Sequence, residues 1–136
     1  VDERYRQWLA CAIDGEGTIT AYRRKSGAPV VSFGIGMVSR AFIETFAQRS
    51  ETHHKITTYE RKGKKAANCQ TQFSYKIGAM AELRDLLIFI EPELVIKGAR
   101  CRAAIKFLDR RLLRKGKKYD RIDNELYERV LHARDK

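Results

Sequence analysis

Residues 9 to 17 read Leu-Ala-Cys-Ala-Ile-Asp-Gly-Glu-Gly, which places two carboxylates, Asp14 and Glu16, and two glycines where an apolar helical pattern stops. Taken alone, D-G-E-G also reads as a helix C-cap and turn. It does not continue as an EF-hand calcium loop, because the later oxygen ligands and closing Glu are missing, and it is not a phosphate-binding glycine loop. What remains is a carboxylate held at a helix end, beside the start of a basic strand. Other reactive residue types offer less. Cys11, Cys69 and Cys101 are odd in number and far apart, with no C-x-x-C pair, so neither a disulfide framework nor a structural zinc site is expected. His53 and His54 are adjacent, which suits no ligand face on a helix or strand, and they read as exposed loop residues.

The elements around the acidic segment follow from periodicity. Tyr5, Trp8, Leu9, Ala12 and Ile13 repeat at i, i+3, i+4, i+7 and i+8, the stripe of an amphipathic helix. Gln7, Ala10, Cys11 and Asp14 fall on the other side, where Ala10 and Cys11 leave a small surface suited to close approach of a second helix, or simply a partly exposed flank. After Gly17 the pattern alternates, giving a strand with Thr18, Thr20, Tyr22 and Arg24 on one side, a turn at residues 25–27, and a second strand in which Val31, Phe33, Ile35 and Met37 alternate with Ser32, Gly34 and Gly36. Ser39 is the expected N-cap of a short helix carrying Phe42, Ile43 and Phe46.

A second hairpin is predicted from Lys55, Thr57, Tyr59 and Arg61, then Gln70, Gln72, Ser74 and Lys76, joined by the basic loop 62–65. Helices follow over Ala79–Ile90, ended by Pro92, over about Leu94–Arg114, and over Asp120–Ala133. The order is α-ββ-α-ββ-α-α-α. It predicts an α+β domain with a four-stranded antiparallel sheet and helices on one face. A single domain over residues 1–136 is expected, with a core over about 4–114 and a C-terminal helical extension over about 119–134.

The open sheet face would then carry Thr20, Tyr22, Arg24, Ser32, Gly34, Lys55, Thr57, Tyr59, Arg61, Gln70, Gln72, Ser74 and Lys76. Arg and Lys reach guanine edges and phosphates, Gln pairs bidentately with adenine, and Ser and Thr serve either purpose. A solvated sheet face is also polar. Charge favours the nucleic-acid reading: 28 Lys+Arg against 17 Asp+Glu give +11, with a pI near 9.8, and most of the excess lies after residue 50. From Lys106 to Arg121 the run Lys106, Arg110, Arg111, Arg114, Lys115, Lys117, Lys118 and Arg121, against Asp109 and Asp120, reads either as phosphate contacts or as a solvated helix end. No apolar run approaches the roughly 18 residues of a membrane span, and the N-terminus lacks a secretion signal, so a soluble intracellular protein without a membrane partner is expected.

Leu9 to Gly17, LACAIDGEG, resembles the signature motif of the LAGLIDADG homing endonucleases. A second stretch, Leu86 to Lys97, resembles the family's apolar helix followed by Pro, a Leu and a basic residue. The resemblance implies the α-ββ-α-ββ-α fold that periodicity also gives. It further implies a site-specific, divalent-metal-dependent DNA endonuclease, encoded in an intron or similar element, that cuts a long pseudo-palindromic double-stranded target as a homodimer. The related alternatives are a maturase acting on intron RNA and a non-catalytic DNA-binding protein.

By the same resemblance, Glu16 at the eighth motif position binds Mg²⁺ (or Mn²⁺ or Ca²⁺), with the Gly15 carbonyl oxygen as a further ligand. Lys97 lies in the basic pocket around the attacking water, and Gln7, Ala10, Cys11 and Asp14 form the dimer seam. Phosphodiester hydrolysis requires a polarised phosphoryl oxygen, an activated water and a neutralised leaving oxygen, which a hard oxygen-bound cation supplies. The sequence departs from the motif at Cys11, where the family has Gly, and at Glu16, where it has Asp. At the end of the second strand Met37 stands where the family often has a polar residue, with Ser39 and Arg40 nearby as substitutes.

Overall fold

The computed structural model describes residues 1–60 and 71–135. Arg61, Gln70, Cys69 and the basic loop 62–65 therefore lie outside the described residues. The elements are α1 (Arg6–Glu16), β1 (Gly17–Arg23), β2 (Pro29–Met37), α2 (Arg40–Ser50), β3 (Thr57–Tyr59), β4 (Gln72–Ile77), α3 (Met80–Ile90), α4 (Gly98–Leu113) and α5 (Arg121–His132). The two hairpins join through their second strands, so the antiparallel sheet runs β1-β2-β4-β3. Ile19, Val31, Phe33, Ile35, Tyr75 and Ile77 point to one side and are buried under the helices. This is the helices-on-one-face α+β architecture that alternation predicts.

Local chemistry sets the element ends. Gly17 turns the chain from α1 into β1 at a point too tight for a side chain: a Cβ there would lie 2.7 Å from Phe33 Cε2 and 3.0 Å from the Ile13 backbone. The Ser39 hydroxyl caps α2 by accepting from Phe42 N at 3.2 Å. Asp120 and Asp123 cap α5 reciprocally, each side chain accepting the other's backbone N–H at 2.9 Å. Phe33 stacks on Phe46 with ring centroids 5.7 Å apart, and Phe46 meets Tyr75 edge-on at 6.2 Å. The Tyr75 hydroxyl is buried but satisfied, 2.7 Å from Thr52 Oγ1, which is in turn 2.9 Å from Ser50 Oγ.

Several boundaries differ from the sequence reading. Arg24 belongs to the β1–β2 turn, where its N–H donates to Ala28 O at 2.9 Å and its carbonyl accepts from Gly27 N at 2.8 Å. Lys55 precedes β3, which spans only Thr57–Tyr59. The fourth helix starts at Gly98 rather than near Leu94, because a 3₁₀ turn at Glu91–Glu93 and residues 94–97 intervene. The C-terminal helix is no appendage to a core ending near 114: Tyr127 and Val130 are buried in the same cluster as Leu9 and Ile19.

The basic run resolves mostly toward structure. Arg110 and Arg111 bind the buried Asp123 at 3.1 Å each, Arg110 and Arg114 also bind Asp120, and the lysines of the run and Arg121 remain exposed, the latter 3.6 Å from Glu125. For Arg110, Arg111 and Arg114 the phosphate reading is replaced by an internal ion network between α4 and α5.

Candidate active site and nucleic-acid interface

The end of α1 and the start of β1 open onto a cleft of about 330 Å³ lined by Gly15, Glu16, Thr18, Lys97, Arg100 and Asp135, among others. The two residues singled out from separate motifs, Glu16 and Lys97, thus share one cleft although 81 positions separate them in the chain. Glu16 is exposed, and its carboxylate has no hydrogen-bond or ion-pair partner among the described residues. Lys97 is half-buried and its Nζ donates to the Asp14 carbonyl oxygen at 2.6 Å, a helix-end acceptor that suits an ammonium. Arg100 lies one turn further along α4 and donates to Ile19 O at 3.2 Å and Ala133 O at 2.6 Å, which ties β1 and the segment after α5 to the cleft wall.

The donor set suits a hard cation. It offers an unpartnered carboxylate and the exposed Gly15 at a helix end, both of them oxygen sources, with no thiolate or imidazole in the lining. No group of three or more His, Cys, Asp or Glu side chains converges among the described residues.

The seam assigned to α1 needs correction. Ala10 is 1% exposed and belongs to this chain's own core, because α1 is covered on its flanks by α2, α3 and the sheet. Asp14 is half-buried and its carboxylate accepts backbone N–H groups from Val95, Ile96 and Lys97 within the same chain. Gln7 and Cys11 remain exposed on the outer face of α1.

The open sheet face assembles largely as expected. Thr20 and Tyr22 of β1, Ser32 and Gly34 of β2, Gln72, Ser74 and Lys76 of β4, and Thr57 and Tyr59 of β3 share the side away from the helices. Thr20 Oγ1 lies 2.8 Å from Ser32 Oγ across the β1–β2 pair, and Thr57 Oγ1 donates to Ser74 O at 3.3 Å. Gly34 pairs with Thr18 on one side and Lys76 on the other, and the missing side chain leaves a hollow floored by the β2 backbone. Gln72 and Lys76 are exposed, with no hydrogen-bond partner among the described residues.

Met37 packs against the core from the end of β2, on the same side as Ile35. Neither neighbour replaces it. Ser39 is spent on the α2 cap, and Arg40 pairs with Glu44 at 2.8 Å while lying over the Phe73 ring. Sequence reading overlooked Arg100, Asp135 and the intrachain role of Asp14. A basic residue one turn after Lys97 was the available signal for Arg100; for the other two the contacts are long-range and leave none.

No family model and no curated protein sequence matches the chain. Solved structures do. Similar folds include the homing endonuclease I-CvuI in complex with a DNA target in the presence of Mg, at 17% identity over 96% of this chain and 97% of that one, TM-score 0.57. The archaeal intron-encoded homing endonuclease I-Vdi141I complexed with DNA gives 15% identity, 95% and 96% coverage, and TM-score 0.57. The LAGLIDADG meganuclease I-AabMI bound to uncleaved DNA gives 18% identity and TM-score 0.59, with 96% of this chain matching 51% of that chain. The fold is that of the LAGLIDADG homing endonucleases.

Proposed function

We propose that this chain is a site-specific DNA endonuclease of the LAGLIDADG type, dependent on a divalent metal and encoded within an intron or comparable element. The observation that carries the reading is the unpartnered Glu16 carboxylate sharing a cleft with Lys97 at the edge of a polar, basic sheet face. DNA-bound neighbours of the same fold support double-stranded DNA as the partner.

The chain's own residues divide the work. Gln72, Lys76, Thr20, Ser32, Tyr22 and Tyr59 line the face that would enter a groove and read base edges, while exposed lysines hold phosphates. Glu16, with the Gly15 carbonyl, would hold Mg²⁺, Mn²⁺ or Ca²⁺ at the scissile phosphate. When bound, Mg²⁺ polarises the phosphoryl oxygen and lowers the pKa of a coordinated water. Lys97 stands in the same cleft with a fixed positive charge suited to the negative charge that builds in the transition state.

One such cleft per chain accounts for one strand. A double-strand break at a nearly palindromic target therefore calls for a homodimer, with Gln7 and Cys11 on the outer face of α1 as the seam and the two Glu16 clefts paired across the twofold axis. The chain spans nearly the whole of I-CvuI and about half of I-AabMI.

The packing of Met37 into the core favours a second reading, because it leaves the end of β2 without a free polar group to order water. In that reading the fold binds DNA without cutting, or binds intron RNA as a maturase. Incubation with a randomised duplex library and Mg²⁺, followed by sequencing of cut ends, separates the readings. Double-strand cuts at a long near-palindrome, lost with EDTA or in Glu16→Gln while target binding persists, are expected. Enrichment of bound but intact duplex, or of intron RNA, overturns the endonuclease. Near-normal cutting by Glu16→Gln removes Glu16 from the mechanism.

A further inference from the structure

The Asp14 carboxylate sits in the last turn of α1 and accepts three consecutive backbone N–H groups of the segment before α4. Val95 N donates to Oδ2 at 2.7 Å; Ile96 N and Lys97 N donate to Oδ1 at 3.1 and 2.9 Å. The contact is returned, since Lys97 Nζ donates to the Asp14 main-chain oxygen at 2.6 Å. Side chain of one residue to backbone of the other, and the reverse, the two residues are locked by a reciprocal pair of charge-assisted bonds.

Residues 94–97 lie in neither helix nor strand. Leu94 packs against the core and its N–H donates to Glu91 O at 3.1 Å, which anchors the start of the segment, but Val95 is 75% exposed and Ile96 38% exposed, so apolar packing does not fix the path of these two into Lys97. The three N–H groups sit just ahead of the first turn of α4, where backbone donors lack intrahelical partners, and a carboxylate is the acceptor best matched to them. The place of the Lys97 ammonium in the cleft is thus set by polar contacts to one residue at the end of α1, the same turn that presents Gly15 and Glu16.

We infer that Asp14 is the positioning residue for Lys97: it touches no substrate, and it holds the ammonium on the cleft wall beside Glu16, an inference that rests on the endonuclease reading of that cleft. Rate should be sensitive to the carboxylate because displacement of a reacting or charge-stabilising group by about 1 Å can cost about 100-fold.

Two measurements test it. In the DNA-free chain, amide hydrogen exchange at Val95, Ile96 and Lys97 should accelerate at least about tenfold in Asp14→Asn, with the Phe33 amide unchanged, since the amide side chain turns an N–H toward donors. Unchanged protection at the three amides overturns the clamp. In single-turnover cleavage, Asp14→Asn should lose about 10- to 100-fold in rate with target affinity within about threefold, and Asp14→Glu should recover part of the loss. Combined with Lys97→Met, Asp14→Asn should add little; fully additive losses overturn a role exercised through Lys97. Should the Asn variant fail to fold, the same cycle run with Asp14→Glu decides the question. A wild-type chain that cuts no duplex while the exchange result holds would overturn the endonuclease reading and leave the clamp standing without a catalytic purpose.

Discussion

Arg111 Nη1 lies 3.1 Å from Asp123 Oδ2 in the seam between α4 and α5, with Asp123 wholly buried and Arg111 only 5% exposed. The same carboxylate accepts from Arg110 Nε and from Asp120 N, while Arg111 Nη2 reaches Lys117 O at 3.0 Å and its guanidinium stacks 3.8 Å over the Tyr119 ring. Such a pair is weak evidence for stability by itself, because desolvation offsets much of the attraction. Breaking it is another matter. Asp123→Ala leaves a buried guanidinium without its counter-charge and also removes the α5 capping box, and it should cost about 3–5 kcal/mol in urea unfolding. Adding Arg111→Met to Asp123→Ala should restore a large part of that loss. A single variant within about 0.5 kcal/mol of wild type would show that the α4–α5 network is not what docks the C-terminal helix.

Gly17 and Gly15 should behave oppositely although both belong to the acidic motif. A methyl at residue 17 meets the Phe33 ring at 2.7 Å and the Ile13 backbone at 3.0 Å, and the backbone cannot yield. Gly17→Ala should lower stability by about 1–3 kcal/mol as overpacking. At Gly15 no atom lies within 4 Å of the added carbon, and the residue is helical, so Gly15→Ala should be neutral or stabilising by up to about 1 kcal/mol. Thermal unfolding of the two variants checks the pair, and equal losses would contradict the close approach at the helix-to-strand switch.

Periodicity made the helix stripe Leu9, Ala12, Ile13, the alternation of Ile19, Val31, Phe33 and Ile35, and the two hairpins legible, because each depends on near neighbours in the chain. The candidate cleft was legible through the acidic motif and the Pro92–Lys97 stretch. What sequence could not show were the partners supplied by distant segments. Ala10 read as surface because its own helix is polar on that flank; it is buried in the folded chain, where α1 packs against α2, α3 and the sheet. Arg110, Arg111 and Arg114 read as candidate phosphate contacts because composition does not reveal that Asp120 and Asp123 face them. The start of α4 lies at 98 rather than 94 because the 3₁₀ turn Glu91–Glu93 and residues 94–97 come first, and nothing in the sequence signals that the N–H groups of 95–97 bind Asp14, more than 80 residues earlier.

Burial pushes the Cys101 thiol up from its ordinary 9.0 to about 12, and the thiol donates to Leu87 O, whereas Cys11 is exposed on α1. The thiolate is the reactive form. Alkylation at pH 8 under dilution that keeps the folded chain monomeric, followed by peptide mapping, should therefore modify Cys11 at least about 100-fold faster than Cys101, the difference vanishing in denaturant. The raised value also has a sign for stability. The folded state keeps a proton that the unfolded state loses, so this contribution is full below about pH 9 and declines as pH rises from 9 toward 12. Replacing Cys101 with Ala should remove that alkaline slope, and an unchanged slope would assign it to other groups.

Readout and phosphate holding should separate by position. Gln72 and Lys76 are exposed on the open side of β4, opposite Tyr59 and Gly34, where side chains can reach base edges. Lys117 and Lys118 are exposed between α4 and α5, at the end of the sheet that carries the β1–β2 turn, since Arg23 at the end of β1 binds Asn124 in the first turns of α5 at 3.0 Å. Arg24 and Lys25 are exposed in that same turn, so this end is basic. Gln72→Ala and Lys76→Ala should relax preference at a few base pairs, each good pairing being worth about 1–3 kcal/mol of discrimination. Lys117→Ala and Lys118→Ala should weaken binding to every duplex alike and lower the salt slope by about one for each phosphate that is no longer neutralised. Binding to a randomised duplex library at several salt concentrations distinguishes the two classes. If the β4 variants bind every duplex more weakly by the same factor while base preferences stay as in the parent, the sheet face holds phosphates instead of reading sequence.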